Sequence, residues 1–193
     1  MNITLSWDLF VLVFFIVIVA YSFIIGRDNT LKVILGTYVS MIAADAAGNL
    51  FGQYFSGSAL FMNVLKLAAV GNEQEAMIFV KVLVFVVLVI LFAVKGAFSV
   101  RTVDDRSTPI RLVLSFLYAF MSASLIISTI LVFVSGASFI GSGDEASLAS
   151  SLWNVYNKSD LVRMIVNNSY FLFFLPALSF LIHSLYTKKE NIE

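Results

Sequence analysis

Long apolar stretches separated by short polar segments dominate the hydrophobic pattern of this chain. Each stretch approaches the length of about 17 to 25 residues that a helix needs to cross a bilayer. The pattern therefore predicts an all-α fold, a polytopic membrane helix bundle with five transmembrane helices. The predicted spans lie at about 8–25, 31–51, 76–94, 110–133 and 164–186.

The last apolar stretch is the weakest of the five. It contains Pro176, which removes a backbone hydrogen bond from a helix interior. A re-entrant or interfacial helix is the alternative to a crossing, and it would leave four transmembrane helices. No internal repeat divides the chain, so we treat residues 1–193 as a single integral membrane domain.

Basic residues are unequally shared between the polar segments. With five crossings and the N-terminus outside, eight of the 12 Lys and Arg residues fall on the cytoplasmic side. The positive-inside rule then favours an N-out, C-in orientation. The cytoplasmic set is Arg27, Lys32, Lys95, Arg101, Arg106, Arg111, Lys188 and Lys189, and the outer set is Lys66, Lys81, Lys158 and Arg163.

Composition narrows the possible partners and chemistry. The chain is 60% hydrophobic and 12% charged, against about 25% charged in a soluble domain. Its net charge of zero gives no basic face for nucleic acid, so the expected partners are the lipid bilayer, other membrane proteins or copies of itself. There is no Cys, one His and no Gly-x-Ser-x-Gly, paired intramembrane Asp or phosphate-binding loop pattern. We therefore predict no enzyme activity, no cofactor and no metal site.

The second predicted span carries a carboxylate, Asp45, inside a mostly apolar stretch. An ionisable side chain within a membrane is costly and is a candidate functional site. On a helix, Thr37 lies eight residues before Asp45 and Asn49 four residues after it, so both share its stripe. About 100° around the helix runs a second stripe, whose small residues predict close contact with a neighbouring helix. That second stripe is Gly36, Ser40, Ala44 and Gly48.

The fourth predicted span supplies both a packing face and hydroxyl groups. We expect close packing at Ser115, Ala119 and Ala123. We also expect a hydrogen bond from Ser122, Ser124 or Ser128 to the carboxyl group of the second span.

Two interpretations of Asp45 remain. It is either a protonated or hydrogen-bonded group that joins two helices, or a proton or ion site. We favour the joining role, because the chain offers no evident basic partner deep in the membrane and a lone carboxylate makes a poor relay. Lys81, near the start of the third span, is expected to extend its ammonium group to the interface.

The order of features resembles the CvpA (colicin V production) family of bacterial inner-membrane proteins. The resemblance covers about residues 5–135. It implies a non-enzymatic scaffold or assembly factor linked to toxin production or export and to envelope maintenance. It rests on Trp7-Asp8, Gly26-Arg27, a second span of small residues, an apolar third span, Asp105-Arg106 in a polar loop, and Arg111 at the fourth helix.

Two other functions stay open. One is an ion or proton channel or transporter subunit that uses Asp45 and Asn49 and completes its walls by oligomerisation. The other is a holin-like protein that forms membrane lesions.

Overall fold

The computed structural model describes residues 7–55, 58, 73–96, 108–140 and 159–190. Every secondary-structure element in these ranges is an α-helix, which confirms the predicted all-α class. The helices are α1 (Trp7–Tyr54), α2 (Glu73–Lys95), α3 (Thr108–Val134), α4 (Asp160–Asn167) and α5 (Ser169–Glu190).

Helix α1 is interrupted at Gly26, whose φ of 80° and ψ of 171° are not helical. Side chains rarely tolerate a positive φ of this kind, so glycine suits the position for its backbone alone. Nothing lies within 4 Å of where a Cβ would stand. The hydroxyl of Thr30 lies 3.0 Å from the carbonyl oxygen of Ser22 and 2.9 Å from that of Gly26, so it can satisfy a carbonyl group on either side of the break.

The chain turns back on itself at this break. Val11 packs in a cluster with Ile127, while Met41 Sδ lies 3.9 Å from Thr129 Oγ1, so residues 11 and 41 meet the same part of α3. In one straight helix those two residues would stand about 45 Å apart. Helix α1 is therefore a hairpin with a first arm, 7–25, and a second arm, 27–54.

Within the described ranges, three helices, α1, α2 and α3, are long and apolar enough to cross a membrane, and α4 with α5 is a fourth candidate if the bent pair is one span. The two parts of that pair meet at 57°. The break lies at Asn168, between the two helices, whereas Pro176 lies inside the continuous helix α5. Proline was expected to be the weak point of the last segment, and the structure places the bend about two turns earlier.

Helix α3 lies at the centre of the described structure. In its most apolar window 72% of the residues are buried, against 11% for α1 and for α2. It packs on both arms of α1 and on α5, and the second arm also packs on α2. Large apolar side chains cover the outer faces, such as Leu83 and Val87 on α2 and Phe171 and Phe174 on α5. The Ser- and Thr-containing helix is thus enclosed by protein, and the more apolar helices face outward, as expected in lipid.

Candidate functional site

Asp45 forms a buried ion pair with Lys81. The Nζ atom of Lys81 lies 2.6 Å from Oδ1 of Asp45, and the two side chains are 4% and 0% exposed. A charge removed from water to this degree is tolerated when it is paired and its remaining hydrogen-bonding capacity is used. The second arm of α1 contributes the acid and α2 contributes the base.

Gly48 makes this pair possible. A Cβ built on Gly48 would lie 2.2 Å from Cγ of Lys81, so the lysine stem runs directly over the glycine toward the carboxylate one turn earlier. The same helix contact continues in both directions along the two antiparallel helices. A Cβ on Gly36 would lie 2.6 Å from Cβ of Phe92, and one on Gly52 would lie 3.1 Å from Sδ of Met77.

The predicted small-residue stripe therefore contacts α2 at its two glycines. Gly36 and Gly48 allow the close approach of the two helices. Ser40 and Ala44, which lie between the two glycines in the sequence, are fully buried. The Ser40 hydroxyl makes no hydrogen bond to any described residue.

The expectation that Lys81 extends to the interface is wrong. Its ammonium group turns to Asp45 instead of extending past the end of α2. The physical reason is the gap above Gly48, which accepts the aliphatic stem, together with a carboxylate at the end of that path. The premise that no basic group accompanies Asp45 in the apolar region is corrected by the same contact.

The segment after α3 completes the coordination of the carboxylate. Gly136, with φ of 81°, ends the helix, and the chain then passes over the second arm. The backbone N–H groups of Phe139 and Ile140 donate to Oδ2 of Asp45 at 2.7 and 2.6 Å. The Ser138 hydroxyl donates to the same carboxylate, 2.8 Å from Oδ2. Successive backbone N–H groups of this kind form an anion-binding nest.

Asn49 holds that segment in place. Its Nδ2 donates to Oγ of Ser138 and to the carbonyl oxygen of Ile140, both at 3.1 Å. Asp45 and Asn49, four residues apart on the predicted polar stripe, thus act on the same segment. Thr37 does not join them, because its hydroxyl donates to the Val33 carbonyl of its own helix.

The predicted hydroxyl partners of Asp45 on the fourth span are wrong. Ser122 and Ser128 are buried, but their hydroxyls make no hydrogen bond within the described ranges. Ser124 lines a separate apolar groove beside Val11. The serine that reaches Asp45 is Ser138, just beyond the end of α3.

The expected packing residues of the fourth span divide into two kinds. Ala119 and Ala123 are 1% and 0% exposed, within the core. Ser115 is only half-buried, and its hydroxyl donates to the Arg111 carbonyl of its own helix.

A second carboxylate, that of Asp8, binds the N-terminus of α4. In the sequence this residue stood out only as part of the family resemblance. Oδ1 of Asp8 accepts hydrogen bonds from the hydroxyl of Ser159 at 2.5 Å and from the N–H of Leu161 at 3.2 Å. Ser159 is also the N-cap of α4 and accepts from the N–H of Val162. An acidic group at a helix N-terminus is favourable, and here it belongs to the start of α1.

Lys81 and Ser138 are the site residues that sequence reasoning missed. Lys81 was visible as an isolated charge at the start of an apolar span, but its partner depends on the register between α1 and α2. Ser138 has no sequence signal beyond its place after a glycine.

Among the described residues, no group of three or more His, Asp or Glu side chains is arranged to hold a metal ion. No protein-family model, curated protein or solved structure matches this chain. The resemblance to the CvpA family stays a prediction.

Proposed function

We propose that this chain is a non-enzymatic integral membrane protein with five crossings, which acts as a scaffold or assembly factor through helix packing. In this proposal Asp45 is a determinant of packing and specificity. The observation that carries it is the saturation of the Asp45 carboxylate by protein groups. One oxygen meets Lys81, and the other accepts two backbone N–H groups with a hydroxyl beside them.

That saturation argues against a transport role for the same carboxylate. A site that carries an ion or proton needs an accessible lone pair, and the Asp45 side chain is 0% exposed. The lysine ammonium already occupies the position that a cation would take. The buried pair instead joins α1, α2 and the segment after α3 in one register, a use of buried charges that is known from other helix assemblies.

Five crossings are supported by the hairpin in α1. The first arm has 19 residues and the second has 28, so both reach the length of about 20 residues that spans a hydrocarbon core of about 30 Å. Helices α2 and α3 and the α4–α5 pair supply the other three crossings. Asp8 and the segment 135–140 lie at one end of the bundle. Arg27, Lys95 and Arg111 belong to its other end, where the rings of Phe23 and Phe116 are 6.4 Å apart. This distribution supports the N-out, C-in orientation.

Ion flux in liposomes tests the proposal. The full chain is reconstituted as wild type and as Asp45→Asn, and proton and potassium flux are compared with empty vesicles. We expect no flux above the empty vesicles for the wild type, and a lower yield of folded, monodisperse protein for the variant.

A specific flux in the wild type that disappears in a well-folded Asp45→Asn protein would refute the scaffold role and support a channel or transporter subunit. Lysis on induced expression would point to the holin-like alternative. A link to toxin production or export and to envelope maintenance rests on the CvpA resemblance alone and stays a prediction.

A further inference from the structure

An apolar groove opens on the side of the bundle between the first arm of α1 and α2. Its volume is about 450 Å³. One wall runs from Phe14 to Tyr21 on the first arm, and the other from Phe85 to Val94 on α2. Ile126 of α3 contributes to the lining between them. Phe14, Tyr21 and Val94 are exposed, so the groove faces the surroundings of the bundle.

The groove has the length of one lipid leaflet. The α2 wall covers nine helical steps, about 13 Å, and the wall on the first arm about 10 Å. Half of a hydrocarbon core of about 30 Å is about 15 Å. A transmembrane helix from a partner would need a contact surface along the whole core, whereas a single acyl chain needs only this half.

Basic residues mark the end of the groove that lies near the membrane surface. Lys95 follows Val94 directly and is exposed in the last turn of α2. Lys32 lies beside it, since its Cε is 2.7 Å from the position of a Cβ on Gly96. Arg27 follows the hairpin turn, and Asp28 is the acidic residue of the same turn. Among the described residues, three basic groups and one acidic group leave a net positive charge at this mouth.

We propose that the groove binds one acyl chain of an anionic phospholipid, with the lipid phosphate at the basic mouth formed by Lys32, Lys95 and Arg27. The apolar walls exclude water from the chain, and the positive charge selects the headgroup. Each basic residue near an anionic membrane surface contributes about 1 kcal/mol, or about a fivefold change in affinity. The proposal requires only that the helices lie in a bilayer, so it stands or falls independently of the scaffold role.

Two matched pairs of variants test the site. Lys95→Gln removes one charge at the mouth, and Arg111→Gln removes one exposed charge at the same end of the bundle but outside the groove. Ala93→Phe fills the groove, and Val87→Phe adds a ring to an exposed position of α2 that does not line it.

The measurement is native mass spectrometry of the purified full chain, titrated with phosphatidylglycerol or phosphatidylcholine of the same acyl chains. We expect the wild type to bind the first phosphatidylglycerol more tightly than phosphatidylcholine. Lys95→Gln should weaken the first lipid by about fivefold and leave the second unchanged. Ala93→Phe should lose this binding step for both lipids, while Arg111→Gln and Val87→Phe resemble the wild type. Circular dichroism checks that each variant keeps its helical content.

Three results would overturn the proposal. Equal binding of the two lipids by the wild type would show that the basic mouth does not select the headgroup. Unchanged lipid binding by Ala93→Phe would show that the groove is not the binding site. Loss of a protein dimer by Ala93→Phe, without loss of lipid, would show that the groove accepts a second copy of the chain.

Discussion

Replacing Asp45 with asparagine should destabilise the bundle more than any other single isosteric change. The asparagine side chain fits the same space but cannot serve both of its neighbours. If its oxygen faces the N–H groups of Phe139 and Ile140, its NH₂ group faces the ammonium group of Lys81, donor against donor. If it is reversed, the same NH₂ group faces the two backbone donors.

The magnitude follows from the burial of the pair. Removing one partner of a buried ion pair costs about 3 to 5 kcal/mol, since it leaves the other charge uncompensated. We expect a loss in this range for Asp45→Asn. Lys81→Met should cost less, because the carboxylate keeps three hydrogen-bond donors. The double variant should recover part of the loss, with a coupling energy of about 1 to 3 kcal/mol.

The assay is reversible unfolding of the purified chain in mixed micelles, followed by circular dichroism. Asp8→Asn is the matched control, since its carboxylate accepts hydrogen bonds from Ser159 and Leu161 and has no ion pair with a described residue. Its cost should be about 1 kcal/mol. An unfolding free energy for Asp45→Asn within about 0.5 kcal/mol of the wild type, or strictly additive single and double variants, would refute the reasoning.

Further substitutions at five positions test the surroundings of the site and the hairpin. Gly48→Ala should lower the free energy of unfolding by about 1 to 3 kcal/mol, because the added methyl group would collide with the aliphatic stem of Lys81. Gly52→Ala is the control: its methyl group would contact only the flexible sulfur of Met77, so this variant should be neutral or stabilising in the same assay. Ser138→Ala should cost about 1.5 to 3 kcal/mol, since it removes a hydrogen bond to the charged carboxylate of Asp45. Ser122→Ala, which removes a hydroxyl without a hydrogen bond to any described residue, should change stability by less than about 0.5 kcal/mol. Equal costs for the two variants would contradict the hydrogen bonding described around Asp45. At Gly26, alanine and asparagine should each cost about 1 to 3 kcal/mol in thermal unfolding, because a φ of 80° with a ψ of 171° is a conformation that essentially only glycine adopts. A neutral or stabilising Gly26→Ala would contradict the hairpin conformation.

The presence of the long apolar helices could be predicted from the sequence, because a long apolar stretch marks each of them, whereas the short helix α4 and the bend at Asn168 carried no such signal. The turn near Gly26 was also predictable, since a short polar segment with a glycine separates two apolar stretches. The neighbour of each helix was not. A stripe such as Gly36 to Gly48 shows that something packs closely, but both α2 and α3 were available, and the register decides which residue faces it.

The same limit applies to the chemistry of the site. Asp45 was recognisable because a carboxylate in an apolar span is rare. The backbone N–H groups of Phe139 and Ile140 carry no side-chain signature, and any residues in that conformation could supply them. The path of Lys81 depends on a space that exists only once two helices have packed.

The order of synthesis gives the buried pair two stages of assembly. Asp45 and Lys81 lie on consecutive segments of the chain, so the charge can be matched as soon as α2 joins the hairpin. The donors at residues 138–140 are made only after α3, and until then one carboxylate oxygen is exposed along the edge of the growing bundle. Attachment of α3 thereby closes the polar edge of the α1–α2 pair.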